Sequence, residues 1–291
     1  MTAPAEAPLL VVTDLDGSLL DEKTYAWDAA RGALAALAEH RVPVVLCSSK
    51  TRAEIEPLVK ALALGAPFVA ENGGALLIPD GHLPGPVAQA RLDGGLWTVE
   101  LGIRRRRLTQ ALAEIASETG ARVRGYASLG LVELVRLTGL SPRIAALSLD
   151  RHHDEPFVLE DPGALPQVAE AARRRGLRVT RGGRFHHLTG PTDKGRAVRV
   201  LIGLYASVGR RFTIVALGDS PNDLSMLKVA DRPVVVPRPG GDLDGALRVA
   251  LPNAERAPAP GPAGWNAAVL AVLRGERLPR VAEEARDPST C

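Results

Sequence analysis

The chain alternates short apolar runs with longer stretches whose apolar residues recur at helical spacing. Apolar runs at residues 9–13, 42–47 and 67–70 are separated by segments 26–40 and 52–63, in which apolar positions recur every three or four residues. Strands buried on both faces read as continuous apolar runs, whereas a surface helix buries one stripe. The pattern predicts strands and helices in alternation, which is typical of a doubly wound, Rossmann-like parallel α/β sheet.

A different pattern interrupts this alternation in the middle of the chain. Glycine and proline punctuate residues 81–86, where we expect the hinge into an inserted domain. In the insert we predict strands near 97–101, 131–137, 155–160 and 177–188, and helices near 106–118, 141–150 and 163–175. The prediction is a core in two parts, residues 1–83 and 189–274, an inserted α+β cap at 84–188, and a disordered tail at 275–291.

Composition narrows the class of protein. With 291 residues, the chain is long enough for about two domains. The net charge of +3 is modest, and the basic run Arg104–Arg107 carries no interleaved aromatic residues, which favours a solvated helix face over a nucleic-acid patch. No apolar run approaches the roughly 18 residues of a membrane helix. We therefore expect a small-molecule substrate and neither a nucleic-acid nor a membrane partner.

The two cysteines and residues 1–8 indicate the cellular compartment. Cys47 lies in an apolar strand and Cys291 at the end of the chain, so they cannot found a disulfide framework. Residues 1–8 lack the basic and apolar stretches of a signal peptide. Both observations predict a cytoplasmic protein.

Two carboxylates follow the first predicted strand. In the segment DLDGS, Asp14 and Asp16 are two residues apart and therefore share a face of the extended chain. Gly17 lets the backbone turn away at once. One carboxylate is placed to attack phosphorus and the other to move protons, although the same motif is also common in turns and calcium loops.

Three further segments place polar residues where strands end or helices begin. Asp219 and Asp223 follow the apolar run 212–217, Ser48 follows the run that ends at Cys47, and Lys194 opens a helix. Open parallel sheets bind ligands outside the carboxyl ends of their strands. The four segments therefore have a physical reason to converge on one phosphate and metal site.

These segments resemble the four motifs of the haloacid dehalogenase-like phosphatases, and further blocks resemble the mannosyl-3-phosphoglycerate phosphatase family within that superfamily. The additional blocks are LCSSKTRAE at 46–54, AENGG at 70–74, RGGRFHH at 181–187 and GPAGWN at 261–266. The resemblance spans about residues 9 to 274. It implies a haloacid dehalogenase core with an α+β cap. Ser18 stands where threonine is usual, and a His pair precedes the DEP segment at 154–156.

The resemblance implies a role for each site residue. Asp14 is expected to form an aspartyl-phosphate, and Asp16 to protonate the leaving oxygen and later deprotonate the attacking water. Ser48 and Lys194 are expected to bind the non-bridging phosphate oxygens. The expected cofactor is Mg²⁺, held by Asp14, the backbone carbonyl of Asp16 and Asp219, with Asp223 behind them.

Several expected substrate contacts retain a structural alternative. Lys50 is either a solvated residue before a helix or a contact to glycerate or phosphate. Asn72, Gly73 and Gly74 form a tight turn, to which the resemblance adds substrate contact. For Asn222, loop support is favoured over contact with the substrate.

The cap supplies the remaining candidates. Arg184 follows two glycines and is our preferred anchor for a carboxylate, and His186, on the same strand face, is a weaker second choice, whereas His187 points to the other face. We assign His152, His153 and Arg143 to the cap surface.

The residues thus predict a Mg²⁺-dependent phosphatase, and the resemblance implies that it hydrolyses mannosyl-3-phosphoglycerate to mannosylglycerate and phosphate. Glucosyl-3-phosphoglycerate and other sugar phosphates remain alternatives, because a cap can tolerate or reject an epimeric hydroxyl with a small change. A non-catalytic sugar-phosphate sensor would not need both Asp14 and Asp16. A phosphomutase would keep the phosphoryl group instead of releasing it to water.

Overall fold

A computed structural model describes residues 7–182 and 185–286. Its strands are β1 (Leu9–Thr13), β2 (Val44–Leu46), β3 (Phe68–Ala70), β4 (Ala75–Pro79), β5 (Arg91–Asp93), β6 (Leu96–Glu100), β7 (Val123–Gly125), β8 (Asp154–Leu159), β9 (Arg178–Gly182), β10 (Phe185–Thr189), β11 (Thr213–Gly218), β12 (Arg232–Val235) and β13 (Glu255–Arg256). Its α-helices are α1 (Arg31–Glu39), α2 (Arg52–Ala61), α3 (Arg105–Thr119), α4 (Leu131–Thr138), α5 (Pro142–Leu149), α6 (Leu165–Arg174), α7 (Lys194–Ser207), α8 (Leu224–Leu227), α9 (Gly245–Ala250) and α10 (Gly261–Leu273).

The core is a parallel sheet in the order β13-β12-β11-β1-β2, as the alternation predicts. Alternate residues of each central strand enter two different apolar cores. Val11 and Val215 pack on one face with α1 and α10, whereas Leu10 and Ala216 pack on the other with α7. Burial on both faces explains why these strands read as continuous apolar runs. The prediction of a doubly wound α/β core with an added α+β cap is confirmed.

An antiparallel extension continues this sheet, in the order β3-β4-β6-β5. A parallel bridge between Cys47 and Val69 joins the two parts. The strand predicted near 97–101 is present, but it pairs with β4. Strands β5 and β6 therefore extend the core sheet, whereas the prediction placed residues 84–188 in the cap. The glycines and prolines at 81–86 lie in a loop between two strands of one sheet and do not mark a domain boundary.

The cap sheet has the order β7-β8-β10-β9, with α3 and α6 packed on one face. The prediction of a strand at 131–137 is wrong, since these residues form α4, which buries Leu134 and ends at the left-handed Gly139. Their spacing of apolar residues fits a helix as well as a strand, and short apolar runs are ambiguous in this respect. The strand predicted at 177–188 is instead the pair β9 and β10.

Residues 275–286 were expected to begin a disordered tail, but they pack on the core. Val281 is buried, and its backbone N–H donates to Ala254 O. Arg277 forms an ion pair with Glu255, and Leu278 N donates to the same carboxylate. One buried apolar residue and one buried acid anchor a segment that looks polar in sequence.

One local prediction was confirmed in detail. Thr51 and Glu54 form the capping box at the start of α2. Within the described residues, no helix has both the length and the apolar character needed to cross a membrane.

Candidate active site

The nucleophile candidate lies at the carboxyl end of the central strand. Asp14 follows β1, and its backbone N–H donates to Leu217 O of β11 at 2.9 Å. The side chain is almost completely buried. Behind it, Trp265 Nε1 donates to Thr13 Oγ1 at 2.9 Å, and Thr13 Oγ1 donates to Asp14 O at 2.7 Å. The 261–266 block therefore supports the backbone that carries Asp14.

Lys194 joins the two acidic segments. It is the first residue of α7 and is fully buried. Its Nζ lies 2.6 Å from Asp14 Oδ1 and 2.5 Å from Asp223 Oδ1. Burial opposes the charge of Lys194, but the two carboxylates outweigh burial and raise the pKa of the lysine above its ordinary value. Lys194 is therefore a fixed cation beside Asp14, the nucleophile candidate.

Three carboxylates, of Asp14, Asp219 and Asp223, lie close to the single positive charge of Lys194. Burial and the neighbouring Asp223 raise the pKa of Asp14 to about 7, although Lys194 acts in the opposite direction. Burial, Asp223 and Asp14 together raise the pKa of Asp219 well above its ordinary value. A cation bound here would reduce this repulsion.

The donor set fits a divalent metal ion. One oxygen each from Asp14, Asp219 and Asp223 lies within 4.8 Å of the others. Asp219 Oδ1 is buried and has no hydrogen-bond partner among the described residues. A buried oxygen without a partner is costly, and hard cations prefer carboxylate oxygens. The expected contribution of the Asp16 backbone carbonyl stays a prediction.

Asp16 lies on the open side of the same site. Its Oδ2 is 2.8 Å from Lys50 Nζ, and Lys50 also lies over the Tyr25 ring at 4.6 Å. Burial opposes the charge of Lys50, but Asp16 and Glu54 raise its pKa overall. The Lys50 side chain is only 11% exposed and is paired with Asp16, which argues against the alternative of a solvated residue.

Gly17 is required for the approach of the second acidic segment. Its φ is +84°, and a Cβ at this position would lie 2.7 Å from Asp219 Oδ2. A side chain at residue 17 would be strained and would displace the metal-ligand candidate.

Ser48 and the turn at 72–74 lie beside this cluster. Ser48 is buried, and its carbonyl accepts from Asn72 N at 3.0 Å. Gly73 contacts the start of α7, where an added Cβ would lie 2.2 Å from Asp193 O, and a Cβ on Gly74 would lie 2.4 Å from His153 Cβ. The turn is confirmed, and both glycines are required by close packing. Substrate contact from their backbone stays a prediction.

Asn222 bridges the acidic loop and this turn. Its Nδ2 donates to Asn72 Oδ1 at 3.2 Å, and its Oδ1 accepts from Ser220 Oγ at 2.5 Å. This geometry agrees with the favoured assignment of Asn222 to loop support. The side chain also borders the main cavity, so substrate contact remains open.

A cavity of about 780 Å³ lies between core and cap. The charged groups that the core contributes to its wall are acidic (Asp14, Asp16, Glu22, Glu54, Asp219 and Asp244) and basic (Lys23, Lys50 and Arg238). The cap contributes a mixture of charged, polar and apolar groups, namely Tyr126, Thr138, Leu140, Arg151, Arg181, Phe185 and His187. The basic groups of both parts suit an anionic ligand, the polar groups suit hydroxyls on it, and the acidic cluster of the core suits a metal ion beside it.

The two cap histidines lie on opposite faces of β10, as predicted, but the weaker candidate His186 is not among the residues that line the cavity. His187 lines the cavity, and its Nδ1 lies 2.7 Å from Asp154 Oδ2. His186 lies on the opposite face, where its ring is 5.5 Å from that of Phe157 in the cap core. The alternation of a strand explains why only one of them faces the cavity. Arg184, the preferred anchor, lies outside the described residues.

The adjacent segment also differs from expectation. His152 is exposed, as predicted, but His153 is buried, because Gly74 and Gly102 pack against its Cβ. Arg143 is exposed. Arg151, which we did not single out, is buried and donates to Ser49 O of the core at 2.9 Å. The DEP segment was the only sequence signal for this cluster.

Comparisons with known proteins agree with the geometry. The sequence model of the haloacid dehalogenase-like hydrolase family matches residues 11–82. The chain is 40% identical over 265 residues to a glucosyl-3-phosphoglycerate/mannosyl-3-phosphoglycerate phosphatase of Methanococcoides burtonii, covering 91% of this chain and 97% of the relative. It is 31% identical to a mannosyl-3-phosphoglycerate phosphatase of Pyrococcus horikoshii, covering 78% and 90%. A solved Thermoplasma acidophilum structure shares the fold, with a TM-score of 0.63, 18% identity and coverage of 90% and 96%.

Proposed function

Because the chain belongs to the mannosyl-3-phosphoglycerate phosphatase family of haloacid dehalogenase-like hydrolases, we propose that it hydrolyses mannosyl-3-phosphoglycerate to mannosylglycerate and phosphate. The observation that carries the reaction class is the contact of Asp14 with Lys194 beside Asp219 and Asp223, at the wall of a cavity shared with the cap. The relatives' names support the substrate.

In this proposal Asp14 attacks phosphorus, and the alcohol of the glycerate leaves. Asp16 protonates the departing oxygen, so that an aspartyl-phosphate and mannosylglycerate are formed. Asp16 then takes a proton from water, which attacks the phosphoryl group and regenerates Asp14. Its exposure on the open side of the cluster suits both steps, since the side chain is 34% exposed.

The remaining groups hold the phosphoryl oxygens and offset their charge. Lys194 is fixed by two carboxylates and Ser48 is buried next to the turn, so neither needs to reorganise much when the phosphate arrives. Asp14 and Asp219 would hold Mg²⁺, with Asp223 beside them. The bound ion would supply Lewis-acid charge neutralisation between the nucleophile and an anionic substrate.

A phosphate-release assay over a panel of sugar phosphates, with and without Mg²⁺, tests the proposal. We expect mannosyl-3-phosphoglycerate to be among the best substrates and release to depend on the metal. Glucosyl-3-phosphoglycerate is the second candidate, because the name of the 40% identical relative includes it. Equal turnover of both would indicate a cap that does not discriminate the epimers. Transfer of phosphate between positions without release would indicate a mutase, and binding without turnover would indicate a sensor.

A further inference from the structure

Asp154, the first residue of β8, accepts contacts from strand β10, from the loop directly before β8 and from the core. It is fully buried. Its Oδ2 lies 2.7 Å from His187 Nδ1 of β10, and it accepts from Arg151 Nη1 at 3.2 Å and from Asn72 Nδ2 of the core at 3.3 Å. Two of these partners line the substrate cavity, and the third belongs to the turn beneath it. Asp154 is therefore a point at which the cap contacts the core through one atom.

From Asn72 the hydrogen bonds continue into the acidic loop. Asn72 Oδ1 accepts from Asn222 Nδ2 at 3.2 Å, and Asn222 Oδ1 accepts from Ser220 Oγ at 2.5 Å. The backbone N–H of Ser220 then donates to Asp223 Oδ2 at 3.0 Å, and the N–H of Asp219 donates to the same oxygen at 3.1 Å. The other oxygen of Asp223 contacts Lys194. An unbroken path thus leads from Asp154 to the cluster around the nucleophile.

The turn at Glu71–Gly73, which contains the Asn72 of this path, has an unfavourable backbone conformation. Glu71 and Asn72 have φ of +51° and +55°. The Glu71 carboxylate accepts from His152 N at 3.0 Å and from His153 N at 2.7 Å, both in the cap. Such conformations persist when the surroundings determine them. The cap segment that ends in Asp154 therefore contributes to the conformation of the turn.

We propose that this path couples the position of the cap to the alignment of the acidic loop, and that Asp154 is a positioning residue for phosphoryl transfer. The inference rests on the proposed phosphatase function for its catalytic consequence. When the cap is seated, Asp154 holds Asn72, which holds Asn222 and, through Ser220, the backbone N–H groups that fix Asp223. Substrate that brings the cap down would thereby complete the catalytic cluster.

The rival explanation is that Asp154 only stabilises the cap. The neighbouring Glu155 offers a matched control, because it is also fully buried in β8, accepts from Arg105 Nε at 2.7 Å and from Ala127 N at 2.8 Å, and has its partners inside the cap. Asp154→Asn and Glu155→Gln each remove one buried charge with almost no change in volume.

Hydrogen exchange in the substrate-free protein tests the coupling directly. The reporters are the amides of Asp219 and Ser220, which donate to Asp223. We expect Asp154→Asn to speed their exchange by about threefold or more, and Glu155→Gln to leave them unchanged while it speeds exchange within the cap. Equal exchange of the two reporter amides in Asp154→Asn and the wild-type protein would overturn the coupling.

A kinetic cycle with Asn222→Ala tests the catalytic consequence. We expect Asp154→Asn to lower kcat for mannosyl-3-phosphoglycerate by about tenfold in the wild-type background and by less than about twofold in the Asn222→Ala background. The second effect is smaller because Asn222→Ala already interrupts the same hydrogen-bond path. Glu155→Gln should have the same small effect in both backgrounds. Independent, multiplicative effects of Asp154→Asn and Asn222→Ala would refute the positioning role. If the wild-type protein releases no phosphate from this substrate, the proposed function fails, whereas the exchange experiment still decides the coupling.

Discussion

The core and the cap line the same cavity, but they fix their side chains in different ways. On the core side, Asp14 and Asp219 follow adjacent parallel strands, and Lys194 begins the helix that contacts both acidic segments. On the cap side, Arg181 and His187 project from neighbouring antiparallel strands, and Arg151 reaches the cavity from a loop. Backbone topology alone brings the core groups together, whereas the cap groups depend on strand parity and on how the cap sits.

This difference suggests a division of roles, in which the core residues suit the reaction and the cap residues suit recognition of the substrate. The core cluster contains the charges that phosphoryl transfer needs, and its members Asp14, Lys194 and Asp223 are buried and constrain one another. The cap wall mixes basic, hydroxyl and apolar groups, which suits the distinction of one phosphate ester from another. Changes in the core should therefore affect all substrates, and changes in the cap should affect selected ones.

The largest effect is expected for Asp14→Asn, which removes the attacking charge with almost no change in volume. We expect phosphate release to fall by about three orders of magnitude or more for every substrate. The measurement is phosphate release at saturating substrate, with the melting temperature as a check of folding. Substantial residual turnover in a folded variant would contradict the assignment of the nucleophile.

Removal of the divalent metal should have an effect of similar size. We expect a chelator to stop turnover, Mg²⁺ to restore it, and Ca²⁺ to fail, since calcium favours more ligands and longer bonds than magnesium. Asp219→Ala should resemble the chelated wild type. Undiminished activity in excess chelator would exclude a metal-dependent reaction.

Asp16→Asn should discriminate between leaving groups. We expect turnover of a sugar phosphate to fall by about 10²- to 10⁴-fold, and formation of the phosphoenzyme from p-nitrophenyl phosphate to fall much less, because that leaving group needs no proton. Rapid-quench detection of phosphoenzyme with both substrates makes the comparison. An equal loss for both would count against the proton-transfer role.

Arg184→Ala should affect only substrates that carry a carboxylate. A bidentate contact of this kind contributes about 1.5 to 3 kcal/mol, so kcat/KM for the glycerate ester should fall by about one to two orders of magnitude. Hydrolysis of p-nitrophenyl phosphate should change little. Arg143→Ala, an exposed cap residue, is the control. A parallel loss for both substrates, or a large fall in melting temperature, would make Arg184 structural.

The smallest effect concerns the contribution of the buried Asp154 carboxylate to the stability of the protein, and the loss of that contribution at acidic pH. Burial alone would raise the pKa of Asp154, but His187, Arg151 and Asn72 together lower it below its ordinary value of 3.8. A lowered pKa stabilises the folded state above the ordinary pKa, and this contribution is lost as the pH falls through the lower, folded-state value.

Asp154→Asn should therefore lower the melting temperature by a few degrees (~2 to 4 °C) near neutral pH, and the difference from the wild type should narrow below about pH 4. Melting curves between pH 3 and pH 7 provide the measurement. A difference that stays constant over this range would show that the carboxylate charge contributes no stability.

Local sequence patterns predicted the parallel core sheet only in outline, but they marked the candidate groups that the fold brings together. Asp14, Ser48, Lys194 and Asp219 are each marked by an apolar run or a helix start, and parallel strands bring such positions to one edge whatever the details of packing. The capping box at Thr51 was equally readable, because it depends on residues three apart.

Tertiary structure decided the features that depend on contacts distant in sequence. Strand β6 could join either sheet, and only its pairing with β4 assigned it to the core. His187, not His186, faces the cavity because of the register of β10 with β8. The path from Asp154 through Asn72 to Asn222 links residues 82 and 150 positions apart. Local patterns carry no information on such pairs, since each member alone reads as an ordinary polar residue in a strand or turn.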